Sequence, residues 1–430
     1  MRTRCHVTLP DGALKPKRIN KHVTARSERL LALDVFRGMT VAGMLLVNNP
    51  GTWSSIYPPL EHAPWNGWTP TDIIFPFFIF IVGITTELSL EGRRARGDDD
   101  GAILRQILKR GALIFLFGLL LSWFPGFTYL PIEGMSDATF LQRVAHRAEH
   151  LRYLGVLQRI GLAYLCGALL TLRTTLRQQF VILAVLLFGY WAAMTLIPVP
   201  DTGVAGRFVL DKPDQLLSAW LDRTLLGINH LWSGSKTWDP EGLLSTIPAI
   251  GTMILGTFTG KWIGKRDIAI NERLSAMFAI GGMTMAAGLV WNWVFPINKS
   301  IWTSSYVLFT AGMAAVVLAI CLWVIDVRGY KRWTRPFVVY GLNPMLAFLG
   351  SGMMARALGT MIQFDDRHNV VFMNSDINLK LTSLQSVIYT HGFASWLSPI
   401  NASLAYAITF VAFWYVLLLF AEKRGIVLKV

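Results

Sequence analysis

Charge is scarce in this chain. Only 15% of its 430 residues are Asp, Glu, Lys or Arg, where soluble domains carry about 25%. That shortage argues against a water-soluble globule. Acidic residues are scarcer still, 26 against 40 Lys and Arg. Cysteine is nearly absent. Cys5, Cys166 and Cys321 fall in a polar tail or at different depths of apolar segments, so no disulfide framework and no metal-ligand spacing arises. Apolar surroundings raise a thiol's pKa and leave it inert, which disfavours a cysteine nucleophile. No Walker A loop, dinucleotide-binding glycine motif, His/Cys metal cluster or G-x-S-x-G turn is present. Phosphate-driven pumping and soluble-type hydrolase chemistry therefore lack support, and no metal is expected. Residues 1–29 are basic but are not followed by the short apolar core of a signal peptide. They read as a cytoplasmic tail resting on anionic lipid.

What the chain has in quantity is apolar sequence, 53% of residues, with a mean hydropathy of +0.45. Runs able to cross a bilayer need about 20 residues. They occur near 30–48, 71–90, 104–123, 153–171, 179–197, 242–261, 274–294, 303–325, 336–354 and 401–421. The sequence thus predicts an all-α, polytopic integral membrane bundle of about ten transmembrane helices. A weaker amphipathic stretch at 382–399 reads as an interfacial or re-entrant helix. No linker divides the spans, so 30–421 forms one membrane domain between the tails 1–29 and 422–430.

The net charge of +14 could suggest a nucleic-acid partner. Its distribution argues instead for topology. With both termini in the cytoplasm, 27 of the 40 basic residues lie on that side, which is the positive-inside bias and makes the lipid bilayer the partner. The loops on the other side are long, aromatic and rich in Pro, Asn and Asp, as expected where a site is built. Pro76 and Pro248 fall within predicted spans and should open backbone hydrogen bonds there. Gly256 and Gly260 form a GxxxG pair whose simplest use is close packing within the subunit, a homodimer being the alternative.

One continuous stretch, His62 to Gly83, reads HAPWNGWTPTDIIFPFFIFIVG. It puts a histidine at the mouth of a span, beside Trp65 and Trp68 to exclude water, Asn66 to orient a partner and Asp72 to reach back. A carboxylate on one ring nitrogen would set the imidazole tautomer and leave the other nitrogen as a base. Asp34 and Arg37 share a helix face, and a structural ion pair is the larger expectation. The sharper reading has Arg37 hold an anionic ligand entering from the cytoplasm. Asn48 and Asn49 end the first span, and a helix stop explains one of them. Gln158 and Arg159 form a polar island in an apolar span and need a partner or a polar cavity. Asp239 and Glu241 precede a span, where helix capping is the plain explanation and acceptor binding the sharper one. Asn298, Lys299, Trp302, Ser305 and Tyr306 make another polar-aromatic cluster on the outer side, and Asn343 is polar at depth. On these residues alone, transporter and membrane acyltransferase stand nearly level.

Six segments taken together carry a resemblance. LDVFRGMTVAGMLLVNN, HAPWNGWTPTDIIFPFFIFIVG, LGVLQRIGLAY, DPEGLLSTIPAI, INKSIWTSSYVLFTAG and YGLNPMLAF occur in order between about residues 31 and 350. They resemble the heparan-α-glucosaminide N-acetyltransferase family and its bacterial, NagX-like relatives. The resemblance implies a transmembrane acetyltransferase that draws acetyl groups from cytoplasmic acetyl-CoA. The acceptor would be the amine of a glucosamine-type sugar on the periplasmic side of a bacterial inner membrane. It implies an active-site histidine at His62, a nearby asparagine at Asn48 and a motif aspartate at Asp72. The stretch from Asn48 to His62 is a few residues longer than in the lysosomal relatives, and Asn49 follows directly, so both asparagines stand as candidates. Arg37, Arg105, Lys109 and Arg332 are candidate contacts for the CoA nucleotide at the basic face. Trp65, Asn66, Trp68, Asp239 and Glu241 are candidate contacts for the sugar. His62 acts either as base in a ternary complex or as a transient acetyl acceptor. The competing class, an amino-sugar or sugar-peptide transporter, lacks the paired interrupted spans common in secondary transporters.

The charge asymmetry has a direct check. Cysteines introduced near residues 55 and 97 should react with an impermeant reagent from opposite sides of the membrane. Labelling of both from one side would overturn the orientation.

Overall fold

A computed structural model of the chain describes residues 30–128, 132, 138–365, 370–371 and 381–428. The expected tail at 1–29 lies outside these, as do the last two residues of the tail at 422–430. The described part is a helical bundle. In chain order it contains α1 (Leu31–Asn48), α2 (Ile74–Arg96), α3 (Asp100–Trp123), α4 (Phe140–Glu149) and α5 (Val156–Arg173). Then come α6 (Leu176–Leu196), α7 (Leu217–Leu226), α8 (Leu243–Gly264), α9 (Ile270–Trp291) and α10 (Ser304–Leu322). The last are α11 (Arg335–Leu342), α12 (Pro344–Arg356), α13 (Leu384–Tyr389) and α14 (Pro399–Lys423). Strand structure among the described residues is limited to three two-residue pieces, at Gln363–Phe364, Val370–Val371 and Thr382–Ser383.

Among the described residues, eight helices are long and apolar enough to cross a membrane, and nine if the bent pair α11 and α12 counts as one span. The chain is a polytopic integral membrane protein. The segment 104–123 is helical, within α3, and carries Arg105, Lys109 and Arg110 in its first half. The segment 336–354 is broken, with an 83° bend between α11 and α12. Pro344 has no N–H and restricts the residue before it, so the helix stops at Leu342. Asn343 fills the break. Its Nδ2 donates to the Ile426 carbonyl and its Oδ1 accepts from the Leu428 N–H, which ties the C-terminal segment to the bend. At 382–399 the chain forms the short α13 and one wide turn, Thr390–Ala394. Pro76 also differs from expectation. It sits in the first turn of α2, where backbone N–H groups have no helical acceptor, so no hydrogen bond is lost. Pro248 does lie inside α8.

The bundle closes through small residues. An added Cβ on Gly256 would meet the Phe80 carbonyl oxygen at 2.2 Å, and one on Gly83 would meet the Met253 carbonyl oxygen at 2.2 Å. Gly260 is equally confined, against the Ile84 backbone and Glu87. The GxxxG pair is therefore spent on the contact of α8 with α2 inside the subunit. This contact sets the start of α2, and with it the turn that carries Asp72. Gly256→Val has no room to relax, since its obstacle is backbone, and it should cost ~3 kcal/mol or more. Thermal unfolding in detergent checks this; an unchanged transition would mean that α2 and α8 do not pack this closely.

Candidate active site

The site is built where α1 ends and where α2, α5, α8 and α10 begin. Asp72 lies in the turn before α2 and is almost fully buried. Its Oδ1 accepts from His62 Nδ1 at 2.7 Å. Its Oδ2 accepts from the Ala63 and Thr69 N–H groups at 3.0 Å each and from the Thr69 hydroxyl at 3.2 Å. The Tyr306 hydroxyl donates to the Asp72 backbone carbonyl at 2.5 Å. Burial pushes the Asp72 carboxyl up, but the His62 and Ala63 hydrogen bonds and the Lys299 charge hold it below its ordinary value. The His62 side chain remains 45% exposed. A donor hydrogen bond from Nδ1 to the carboxylate leaves the lone pair on Nε2, facing away from Asp72.

His62 opens onto a cleft. Its walls are apolar, formed by Met44 and Val47 of α1, Phe75 and Phe78 of α2, Ile160 of α5 and Phe348 of α12. Its other polar lining residues are Thr40, Asn48, Thr71, Glu241 and Lys299, of which Lys299 touches His62. Along α1 the cleft continues to Thr40, one helical turn short of Arg37. Asn48 and Asn49 now separate. Asn48 is exposed and lines the cleft, whereas Asn49 is buried with Nδ2 donating to the Leu45 carbonyl, ending α1.

Two groups stand out that sequence reasoning left without a role. Arg152, in the loop before α5, donates to both Asp239 oxygens at 2.9 and 2.5 Å and to Glu241 Oε2 at 2.5 Å. Burial pushes the Glu241 carboxyl up, yet the charges of Arg152, Arg159 and Lys299 hold it below its ordinary value. Lys299 is the second. Its Nζ lies 3.1 Å from both ring nitrogens of His62 and 3.7 Å from Asp72 Oδ1. The turn at Asn298 places it there. Asn298 Oδ1 accepts from the Ile301 N–H and its own N–H donates to the Thr303 hydroxyl. The only sequence signal for Lys299 was its place in an outer polar-aromatic cluster, which does not distinguish a site from a solvated loop.

The candidate sugar contacts divide. Glu241 lines the cleft. Asp239 is fully engaged by Arg152. Trp65 Nε1 donates to the Leu210 carbonyl and its ring meets Trp238 edge-on. Asn66 is a brace. Its Nδ2 donates to Asp211 at 2.5 Å, and its Oδ1 accepts from Asn298 Nδ2 at 3.2 Å. With the Gly67 N–H bonded to the Ile297 carbonyl, Asn66 locks the His62 loop to the Lys299 loop. Trp68 lies exposed against Phe309.

Comparison with known proteins decides the family. Residues 29–288 match the model of the heparan-alpha-glucosaminide N-acetyltransferase catalytic region. The chain belongs to that family. It is 30% identical over 390 residues to the Homo sapiens heparan-alpha-glucosaminide N-acetyltransferase, covering 79% of this chain and 55% of that protein. It is 29% identical over 371 residues to the Mus musculus protein of the same name, covering 75% and 53%. The chain thus spans about half the length of the curated relatives it matches. This heparan-alpha-glucosaminide N-acetyltransferase family member keeps His62, Asp72, Glu241 and Asn48 inside the matched segment, while Lys299 lies just beyond it.

None of the four basic residues expected near a nucleotide lines the cleft. Arg37 pairs with Asp34 at 3.3 Å and also donates to the Gly341 carbonyl at 3.1 Å. Arg105, Lys109 and Arg332 are exposed, and none lines the cleft. Among the described residues, one group has ligand atoms close enough for a metal: His146 and Glu149 of α4 and His150 just after it, within 4.8 Å of one another. None of the three lines the cleft.

The held-down Asp72 carboxyl yields a stability prediction. A carboxyl whose pKa is lower folded than unfolded stabilises the protein above its unfolded value, and that contribution is lost as pH falls through the folded value. Wild type should therefore be more stable than Asp72→Asn at neutral pH, with the gap closing below pH ~4. Thermal unfolding of both in detergent from pH 7 to 3 measures it. A gap that is the same at both ends would contradict the ionised, hydrogen-bonded carboxylate.

Proposed function

We propose that this chain is a transmembrane acetyltransferase, moving the acetyl group of cytoplasmic acetyl-CoA to the amine of a glucosamine-type sugar on the periplasmic side of a bacterial inner membrane. One observation carries this reading: a carboxylate-anchored histidine stands at the polar end of an otherwise apolar cleft that runs along α1. The arrangement suits the donor. A pantetheine arm is long, thin and weakly polar, and the Met44, Val47, Phe75 and Phe78 walls offer it a narrow apolar passage. The thioester would then lie among His62, Asn48 and Lys299. Toward the other end, Arg37 is the basic residue nearest the cleft. Arg105, Lys109 and Arg332 would act on the nucleotide only through the diffuse positive field of that face.

In this reading Asp72 fixes the His62 tautomer with hydrogen on Nδ1. Nε2 takes the proton of the acceptor amine as it attacks the acetyl carbon, the task of a general base near neutrality. Alternatively, Nε2 attacks first and carries the acetyl group itself. The Asn48 amide is placed to donate to the oxygen of the tetrahedral intermediate. Glu241, held ionised by Arg152, offers an acceptor for sugar hydroxyls or the substrate ammonium. The close packing of Gly256 and Gly260 against α2 removes the sequence argument for a homodimer.

The test is acetyl transfer from labelled acetyl-CoA to glucosamine by purified protein. His62→Ala should lose about 10²–10⁴-fold in rate and Asn48→Ala about 10²–10³-fold, with folding and CoA binding retained. A fully active His62→Ala variant would remove the claim. Movement of unmodified glucosamine across liposomes without acetylation would favour a transporter.

A further inference from the structure

Lys299 stands against His62 with a geometry that separates it from an ordinary counter-ion. Its Nζ is equidistant, 3.1 Å, from Nδ1 and Nε2. A position at this distance from both nitrogens and in the ring plane would collide with Cε1 and its hydrogen, so the ammonium lies over the face of the imidazole. Nδ1 is already committed to Asp72. The in-plane lone pair of Nε2 is therefore left clear, with a positive charge directly beside it. The loop holding Lys299 is bonded to the His62 loop through Asn66 and Gly67, which fixes the two groups relative to each other. Lys299 also lines the cleft, as Asn48 does.

We infer that Lys299 is a further catalytic residue, whose ammonium carries the negative charge that develops on the acetyl oxygen during transfer. This rests on the acetyltransferase reading. As the amine nitrogen bonds to the acetyl carbon, its proton passes to His62 Nε2 and the carbonyl π pair moves onto oxygen. An acetyl carbon within reach of a nucleophile held at Nε2 has its oxygen beside the Lys299 ammonium. When the oxygen pair returns, the C–S bond breaks, and the CoA thiolate takes the proton from His62. The products are the amide and the CoA thiol. Asn48 supplies a neutral donor to the same oxygen, but only Lys299 brings a full charge, which counts most in a cleft with apolar walls.

The titratable and charged groups facing Lys299 are Asp72 from the turn before α2, His62 from the α1–α2 loop, Glu241 from the approach to α8 and Arg159 from α5. Burial and Arg159 lower its pKa, Asp72 and Glu241 raise it, and the balance lies below the ordinary lysine value. A catalytic ammonium must then be lost as pH rises, giving activity an alkaline limb below pH ~10.4.

The experiment compares wild type, Lys299→Met and Lys299→Arg in kcat, KM and pH profile, with CoA affinity measured calorimetrically. Lys299→Met should lose about 10²–10³-fold in kcat with CoA affinity unchanged. Lys299→Arg should recover part of that loss and shed the alkaline limb, because a guanidinium does not titrate in this range. Three results would each overturn the inference: Lys299→Met within about threefold of wild-type kcat, an alkaline limb that persists in Lys299→Arg, or CoA affinity that falls with kcat as in a collapsed site. Failure of the wild type to acetylate any amine is a different result, which removes the acetyltransferase reading itself and this inference with it.

Discussion

A carboxylate taken out of water at a membrane surface must find its hydrogen bonds inside the protein. Asp72 is that group here. The backbone N–H groups of Ala63 and Thr69, the Thr69 hydroxyl and the His62 imidazole all point at its two oxygens. Satisfying this one carboxylate folds the segment from His62 to Asp72 into a closed turn at the head of α2. It also sets which nitrogen of His62 is bonded and which is free. The Tyr306 hydroxyl, bonded to the Asp72 carbonyl, adds the outer end of α10 to the same construction.

Close packing further down makes that position reproducible. Gly83 and Gly256 let α2 and α8 touch backbone to backbone, so the depth of α2 in the bundle is set by contact with main-chain atoms. Glu241, two residues before α8, is thereby held at the cleft and locked by Arg152. A second cross-brace, Asn66 with Asn298, brings Lys299 to the imidazole. The polar end of the cleft is thus assembled from four separate loops, each anchored to a different helix. Its apolar remainder follows from the helices themselves, since the inward faces of α1, α2 and α5 carry Met, Val, Phe and Ile.

Much of this was legible in the sequence, for physical reasons. The helix count came within one or two because apolar length is a direct measure of the ability to cross a bilayer. It missed the break at Asn343, where a proline after an asparagine bends the chain. The His62 and Asp72 pairing was readable because both lie in one short motif, and a ten-residue separation is closed by a single turn. Partners from distant segments were not. Nothing local to Arg152 shows that it will meet Asp239 and Glu241, and Asn66 resembles a ligand-binding amide until Asp211 and Asn298 occupy it. Asn48 and Asn49 are indistinguishable as neighbours in sequence. Only helical phase puts one on the cleft and folds the other back onto Leu45. Arg105, Lys109 and Arg332 are exposed and none lines the cleft, a placement that clustered charge in the sequence does not reveal.

The account's central claim is that chemistry occurs where the two sides of the membrane meet, with donor and acceptor approaching His62 from opposite faces. Purified protein reconstituted into sealed vesicles, with labelled acetyl-CoA confined to the side of residues 91–110 and glucosamine to the other, tests it directly. The account predicts N-acetylglucosamine on the glucosamine side and free CoA retained with the donor. Product formed only when both substrates share one side would contradict it.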